Sequence, residues 1–331
     1  MSKQVYVTRK IPDSGLLMLL NECRVLLNRK PTAPTRAEIL RNIKDKDGLL
    51  CTLSDRIDAE VIDAAPNLKV ISSFSTGVEH IDIRKATSRG IYVTYTSDIL
   101  AEATADLTFG LILSCARNIV NADRYVRENR WKIGWTSDLM LGYNVYGTTL
   151  GIIGLGKIGI AVARRAKGFG MHILYHNRNR NQQIESELGI SYMELDDLLK
   201  QSDFVSIHTS LNKDSYHLIN KFALKKMKKT AFLINTARGQ VVIEEDLINA
   251  LKNSNIAGAA LDVFEKEPLP RTSSLLKMKN VVLLPHIGSA TFHTRSMMAE
   301  VAVKSLLDVL NGKEPDAAIL INPEVRNVRP L

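Results

Sequence analysis

Short apolar runs alternate with amphipathic stretches along the whole chain. Up to about Ser97, Val5 to Val7, Val25 to Leu27, Gly48 to Cys51, Val70 to Ser73 and Ile91 to Thr94 read as strands, and Thr35 to Ile43 and Ala59 to Ala64 as helices. This alternation predicts a parallel sheet covered by helices, an α/β domain in its own right. A second series opens at Thr149 and continues through His172 to Tyr175, Phe204 to Ile207, Ala231 to Asn235, Ile256 to Leu261 and Val281 to Leu284, which predicts a doubly wound sheet of six or so strands. Between the two series, Thr96-Ser97-Asp98 offers an N-cap to a helix running from Ile99 to about Val120. Its Leu107 to Leu113 stretch is apolar nearly all round, as in a helix buried in a large core or an interface. A last long helix spans Thr291 to Asn311, before an extended tail marked by Pro315, Pro323 and Pro330.

Composition narrows the picture. A chain of 331 residues exceeds the usual single core and predicts two domains. Hydrophobic content of 45% and charged content of 24% are ordinary for a soluble globular protein. No apolar run approaches the roughly 18 residues of a membrane span, and Met1 to Val7 lacks signal-peptide architecture. Cys23, Cys51 and Cys115 lie far apart with no C-x-x-C, so neither a disulfide framework nor a metal site is expected, and the cytoplasm is the expected compartment. The net charge of +9 rests largely on lysines of helix faces, such as the five between Lys221 and Lys229. Nucleic-acid binding would call for a recognisable module or interleaved aromatics. Aromatics are only 6%, so the charge reads as a field that steers small anions. Both tryptophans, Trp131 and Trp135, fall in a glycine- and aromatic-rich stretch ending near Gly147, suited equally to loop packing and to a site or interface.

The chemistry starts at Gly154-Leu155-Gly156-Lys157-Ile158-Gly159. A G-x-G-x-x-G that closes a strand and opens a helix is the order a dinucleotide needs: a tight turn, backbone close to the pyrophosphate, and close helix-to-strand packing. An acid binding the ribose hydroxyls of NAD belongs at the end of the next strand, about 20 residues on. Asn177 stands there, 18 residues past Gly159, followed by Arg178, Asn179 and Arg180. Loss of the anion and gain of two guanidiniums suits a 2′-phosphate and predicts NADPH over NADH.

Three more loops follow strands of the same sheet. Asn235-Thr236-Ala237-Arg238-Gly239 brings an arginine, whose fork matches the carbonyl and carboxylate of an α-keto acid. Leu261-Asp262-Val263-Phe264 leads to Glu267-Pro268, and Pro285-His286-Ile287-Gly288-Ser289 holds one histidine before a long helix. In the first domain, Ser75-Thr76-Gly77-Val78 follows a strand and could bare amides to an anion, or serve as a plain turn.

These motifs, together with Ala105-Asp106-Leu107 and Gly142-Tyr143, span essentially the whole chain, which resembles the D-isomer-specific 2-hydroxyacid dehydrogenases and, among them, the glyoxylate/hydroxypyruvate reductases. The resemblance implies two Rossmann-like α/β domains with parallel sheets. A cofactor domain, residues 100–287, is inserted into a flavodoxin-like substrate domain, residues 1–99 and 288–331. It implies that His286 is the general acid, that Glu267 fixes and charges its ring, and that Arg238 binds and polarises the keto acid. Thr76, Gly77 and Val78 would hold the substrate carboxylate, and Trp135 matches a tryptophan that some relatives extend into a neighbouring subunit's site. For the cofactor, the implied residues are Thr104; Leu155, Gly156, Lys157 and Ile158 at the pyrophosphate; Asn177, Arg178, Asn179 and Arg180 at the ribose; and Thr236, Ala237, Arg238, Asp262, His286, Ile287 and Gly288 towards the nicotinamide. NADPH is the preferred cofactor, with NADH left open, and a homodimer is expected. Two departures stand out: His208-Thr209-Ser210-Leu211 lacks a proline that many relatives have there, and the ribose carboxylate is missing at Asn177. Phosphoglycerate or D-lactate dehydrogenase remains an alternative activity, and a non-catalytic NAD(H)-binding corepressor an alternative class; an intact Arg238, Glu267 and His286 counts against the latter.

Overall fold

The computed structural model describes residues 2–331. The chain divides into two compact units, Met1–Leu100 with Ala290–Leu331, and Ala101–Ser289.

In the first unit, β1 (Gln4–Val7), β2 (Arg24–Leu27), β3 (Gly48–Cys51), β4 (Val70–Ser73) and β5 (Tyr92–Thr94) form one sheet in the order β2-β1-β3-β4-β5. Every pairing is parallel, the flavodoxin-like arrangement. Because successive residues of a strand face opposite ways, each strand feeds two cores. Val5, Val7, Leu50, Val70 and Tyr92 pack under the helices Asp13–Glu22 and Phe292–Leu310, whereas Tyr6, Leu49, Cys51, Ile71 and Val93 pack under Arg36–Ile43 and Ala59–Asp63. Caps fix where the helices begin. Thr35 and Glu38 form a reciprocal capping box, and the Thr291 side chain accepts from the Thr294 amide.

Three features of this unit differ from the sequence reading, the first being the short helix Ile83–Ser88, which has no counterpart there. The helix Asp13–Glu22 has no counterpart there, since its Leu16, Leu17, Leu19 and Leu20 give little helical contrast. The tail is not extended: it forms two short 3-10 turns, Ala317–Ile319 and Pro323–Asn327, with Leu320 and Val325 buried. Asn322 pins it, accepting from the Val93 amide at 2.9 Å and donating to the Ile91 carbonyl at 2.9 Å.

The second unit carries seven strands: β6 (Thr149–Ile153), β7 (His172–His176), β8 (Ser191–Tyr192), β9 (Phe204–Ile207), β10 (Phe232–Asn235), β11 (Gly258–Leu261) and β12 (Val281–Leu283). They run parallel in the order β12-β11-β10-β9-β6-β7-β8. The order reverses at β6, so the loops after β6, β9, β10, β11 and β12 share the carboxyl end where such sheets bind ligands. The long helix expected from Ile99 to Val120 is broken in two, Ala101–Ala116 and Ile119–Arg127. Asn118 interrupts it in the left-handed region at φ 54°, a conformation asparagine tolerates, and its side chain donates to the Leu141 carbonyl. Beyond the break, Trp131, Ile133, Trp135, Leu141 and Tyr146 are exposed.

Candidate active site

The three glycines after β6 each meet a different constraint. Gly154 has φ 97°, and a Cβ there would lie 2.6 Å from the Thr209 amide nitrogen. At Gly159 a Cβ would lie 2.2 Å from the Gly154 carbonyl oxygen, so the helix Lys157–Gly168 packs directly on the turn. Gly156 is the opposite case: a Cβ would meet nothing within 4 Å. It is the N-cap of that helix and makes no side-chain cap, which leaves first-turn amides and the positive end of the helix dipole facing open space. These are the features of a pyrophosphate cradle. Leu155 is buried beneath it, with Lys157 exposed and Ile158 partly so.

At the end of β7, the Asn177 side chain donates to the Asn179 carbonyl at 3.0 Å and closes a small turn. The two arginines diverge. Arg180 donates to Glu185 from two of its nitrogens, Nε and Nη2, each at 2.7 Å. That pairing pulls the Glu185 carboxyl down to about 2, helped by the Tyr175 hydroxyl. Arg178 has only a 3.8 Å approach to Asp214, and its side chain is 78% exposed.

The loops after β10, β11 and β12 interlock. Asn235 ties the first, accepting from the Ala237 amide at 3.0 Å and donating to the Arg238 carbonyl at 2.9 Å. Gly239 presses on the second: a Cβ would fall 1.8 Å from the Phe264 carbonyl carbon, so no side chain fits. Glu267 accepts from the Phe264 amide at 3.0 Å with one oxygen and meets His286 Nδ1 at 2.7 Å with the other. Burial pushes the Glu267 carboxyl up, but the bond and charge of His286, the Phe264 amide and the Arg238 guanidinium outweigh it and hold the group below its ordinary range. His286 sits at φ 55°. A non-glycine residue held there costs about 1–3 kcal/mol and persists only where its surroundings over-determine it. Asp262 supplies that hold. It is 1% exposed, its carbonyl accepts from the His286 amide at 2.9 Å, and its two carboxylate oxygens accept from Ile287 and Gly288, each at 2.8 Å.

A profile described as "D-isomer specific 2-hydroxyacid dehydrogenase, NAD binding domain" matches residues 109–288. A glyoxylate reductase of Thermofilum pendens is 53% identical over 330 residues, 99% of this chain and 97% of that protein. The chain belongs to the D-isomer-specific 2-hydroxyacid dehydrogenase family. Among solved structures of similar proteins, one from Thermus thermophilus superposes with a TM-score of 0.91 at 44% identity, covering 96% of this chain and 99% of that one. Another is an NADPH-dependent glyoxylate/hydroxypyruvate reductase from Sinorhizobium meliloti in complex with NADP and malonate, with a TM-score of 0.85 and 31% identity over 98% of each chain. This dehydrogenase is therefore an oxidoreductase whose second unit is a nicotinamide-dinucleotide domain.

Within that domain of the dehydrogenase, Thr104 meets the same loop. A Cβ on Gly288 would lie 3.3 Å from Thr104 Oγ1 and 3.4 Å from Asp262 Oδ2. Thr104 is 3% exposed, and its hydroxyl has no partner among the described residues, an orphaned polar atom of the kind a polar ligand group satisfies. A polar chain that the sequence reading missed runs beside it. Ser206 Oγ meets His208 Nε2 at 2.7 Å, His208 Nδ1 lies 3.5 Å from Thr236 Oγ1, and Thr236 meets Thr108 Oγ1 at 3.1 Å. Thr108 then donates to the Thr104 carbonyl at 2.8 Å. Desolvation pushes the His208 ring down to about 3, which favours its neutral form as a link in this chain. In the sequence Thr104, His208 and Thr236 are named singly, and only the i, i+4 spacing of Thr104 and Thr108 hints at a link between them.

The structure thus gathers Thr104, Thr236, Asp262, Glu267, His286, Ile287 and Gly288 at the carboxyl end of one sheet. Trp135 is not gathered with them; it stands on the exposed stretch after the broken helix, 87% exposed. Thr76, Gly77 and Val78 belong to the first unit, where Gly77 is buried and its neighbours partly so. Arg180, read as a phosphate ligand, is committed to Glu185.

Proposed function

We propose that this dehydrogenase reduces a small 2-oxo acid, glyoxylate to glycolate or hydroxypyruvate to D-glycerate, with NADPH preferred over NADH. The observation that carries the reading is the 2.7 Å pairing of His286 Nδ1 with Glu267. An ionised Glu267 fixes Nδ1 as a donor to itself, which leaves Nε2 to hand a proton to the substrate carbonyl oxygen. When bound, the nicotinamide supplies hydride to the carbonyl carbon. Arg238 binds the keto acid and polarises its carbonyl, stabilising charge that builds on the oxygen. The amides of Thr76, Gly77 and Val78 hold the substrate carboxylate.

Leu155, Gly156, Lys157 and Ile158 would cradle the pyrophosphate, and the open space over Gly156 fits that role. Thr104, Thr236, Ala237, Asp262, Ile287 and Gly288 would line the nicotinamide end. Asn177, Arg178 and Asn179 would meet the phosphorylated ribose, with Arg180 bracing the turn from its bond to Glu185. The Sinorhizobium meliloti reductase that binds NADP and malonate, a dicarboxylate, supports both the cofactor and the substrate class. The exposed apolar stretch around Trp135 is read as the surface through which two copies pair. Specificity constants for glyoxylate and hydroxypyruvate with NADPH and NADH test the whole reading. Tight binding of NAD(H) with no oxidation of NADPH by either acid would replace it with the corepressor alternative.

A further inference from the structure

Below the loop that follows β4 lies a chain of small polar groups that the proposed reaction does not use. Ser75, 4% exposed, donates from Oγ to the Gly77 carbonyl at 2.5 Å and meets Ser73 Oγ at 2.7 Å. Ser73 Oγ lies 3.3 Å from His80 Nε2, with the fully buried Cys51 Sγ at 3.8 Å from the same nitrogen. Each hydroxyl has one proton, which fixes the direction of the chain. The Gly77 carbonyl can only accept, so the Ser75 proton goes there. Ser73 must then donate to Ser75, and its own oxygen is free to accept from His80 Nε2. A series of three side chains therefore ends, through Ser75, on one backbone carbonyl, an ordering in which each buried hydroxyl is satisfied.

The consequence lies on the other side of that peptide. In a planar trans peptide the carbonyl and the following N–H point in opposite directions. With the Gly77 oxygen drawn inward to Ser75, the Val78 N–H is turned away from the buried hydroxyls. Val78 is held from the side-chain end by packing on the core that contains Ile71 and Ile81, and its carbonyl accepts from the Ile81 amide at 3.0 Å. The Ser75 carbonyl accepts from the Thr96 amide at 3.0 Å, so the relay cannot swing as a unit. Among the described residues, the amides of Thr76, Gly77 and Val78 donate to no protein acceptor.

We propose that Ser75 is a positioning residue for the substrate: through the Gly77 carbonyl it sets the Val78 amide as a fixed donor to a carboxylate. This rests on the reading of residues 76–78 as the carboxylate-holding loop. The relay holds the donor in place before substrate arrives, so its loss falls on affinity for the carboxylate and not on hydride or proton transfer.

Oxalate, a carboxylate probe that needs no turnover, tests it by calorimetry on the NADPH-loaded protein. Ser75→Ala should weaken oxalate binding by about tenfold, the scale of a lost buried hydrogen bond, and raise the glyoxylate KM with kcat and NADPH affinity little changed. Ser75→Thr, which keeps the hydroxyl, should restore most of the affinity. Unchanged oxalate affinity in Ser75→Ala, or a parallel loss of NADPH affinity, overturns the proposal, as does a wild-type protein that binds no oxalate. If Ser75→Ala does not fold, Ser75→Cys decides by the same measure: its weak S–H donor loosens the bond to the Gly77 carbonyl at nearly the same volume, and unchanged oxalate affinity overturns the proposal. Oxalate binding that depends on Ser75 in a protein unable to reduce glyoxylate would sink the catalytic reading alone.

Discussion

Asp262 holds the amide of Gly288 at 2.8 Å through a carboxylate oxygen that is otherwise buried. Its second oxygen holds the neighbouring amide, and its carbonyl the one before. Three consecutive amides, from His286 to Gly288, thus report to one residue.

Replacing Asp262 with Asn should therefore damage the loop more than an isosteric change suggests. An amide NH₂ would face a backbone N–H, leaving a buried donor unpaired at a cost of about 1–3 kcal/mol. Expected outcomes are a lowered thermal midpoint and a kcat that falls further than the affinity for NADPH. A variant with wild-type kcat and midpoint would show that the loop keeps its shape without the carboxylate.

At His286 itself, loss of the ring and relief of the backbone can be separated. His286→Ala and His286→Gly should both cut kcat by about 10²–10⁴-fold, the range of a lost general acid, with NADPH affinity near normal. Since φ 55° suits glycine, the Gly variant should be the more stable of the two, by up to about 1 kcal/mol. Denaturation midpoints check the order, and single-turnover rates the loss.

Cofactor choice should divide unequally between the two arginines. Arg178→Ala should raise the Michaelis constant for NADPH by about tenfold, one charge-assisted contact, while leaving that for NADH nearly unchanged. Arg180→Ala releases Glu185, and its effect should spread over both cofactors. Equal selectivity losses from the two variants would mean that Arg180 leaves Glu185 when the phosphate binds.

The Glu267 carboxyl is lowered in the folded protein. Its contribution to stability is therefore fully present above the unfolded value, about 4.3, and is lost as pH falls through the folded one. Thermal midpoints of the wild type and Glu267→Gln, followed from neutral pH downward, should differ most near neutrality and converge in acid. A gap that widens in acid would reverse the sign and remove the ion pair as its cause.

Much of this was legible in the sequence because local chemistry decided it. The strands Gly48–Cys51, Val70–Ser73 and Phe204–Ile207 end where the apolar runs end, and the glycine spacing announced the tight turn between β6 and the helix after it. What stayed hidden depends on partners remote in sequence. Asp262 reads as one acid near the site; only the return of β12 beside β11 turns it into the clamp of another loop. The broken helix at Asn118 escaped because helix propensity says little of a single left-handed residue. The Arg180 to Glu185 pair was within reach, five residues apart, but whether the two groups meet depends on the turn between them. Ser75 was marked only as part of its loop, since a serine's role is unread until its hydroxyl is seen on a carbonyl.

The helix Phe292–Leu310 covers the sheet on which the chain begins: Ala299, Ala302, Val303 and Leu306 lie against Val5, Val7, Leu50 and the helix Asp13–Glu22, and Gly15 admits no side chain against Ala299. A ribosome delivers those partners far apart in time, one on each side of the dinucleotide domain. The opening strands must wait, one face bare, while the whole dinucleotide domain is made and folds. Synthesis order thus makes the first unit the last to close.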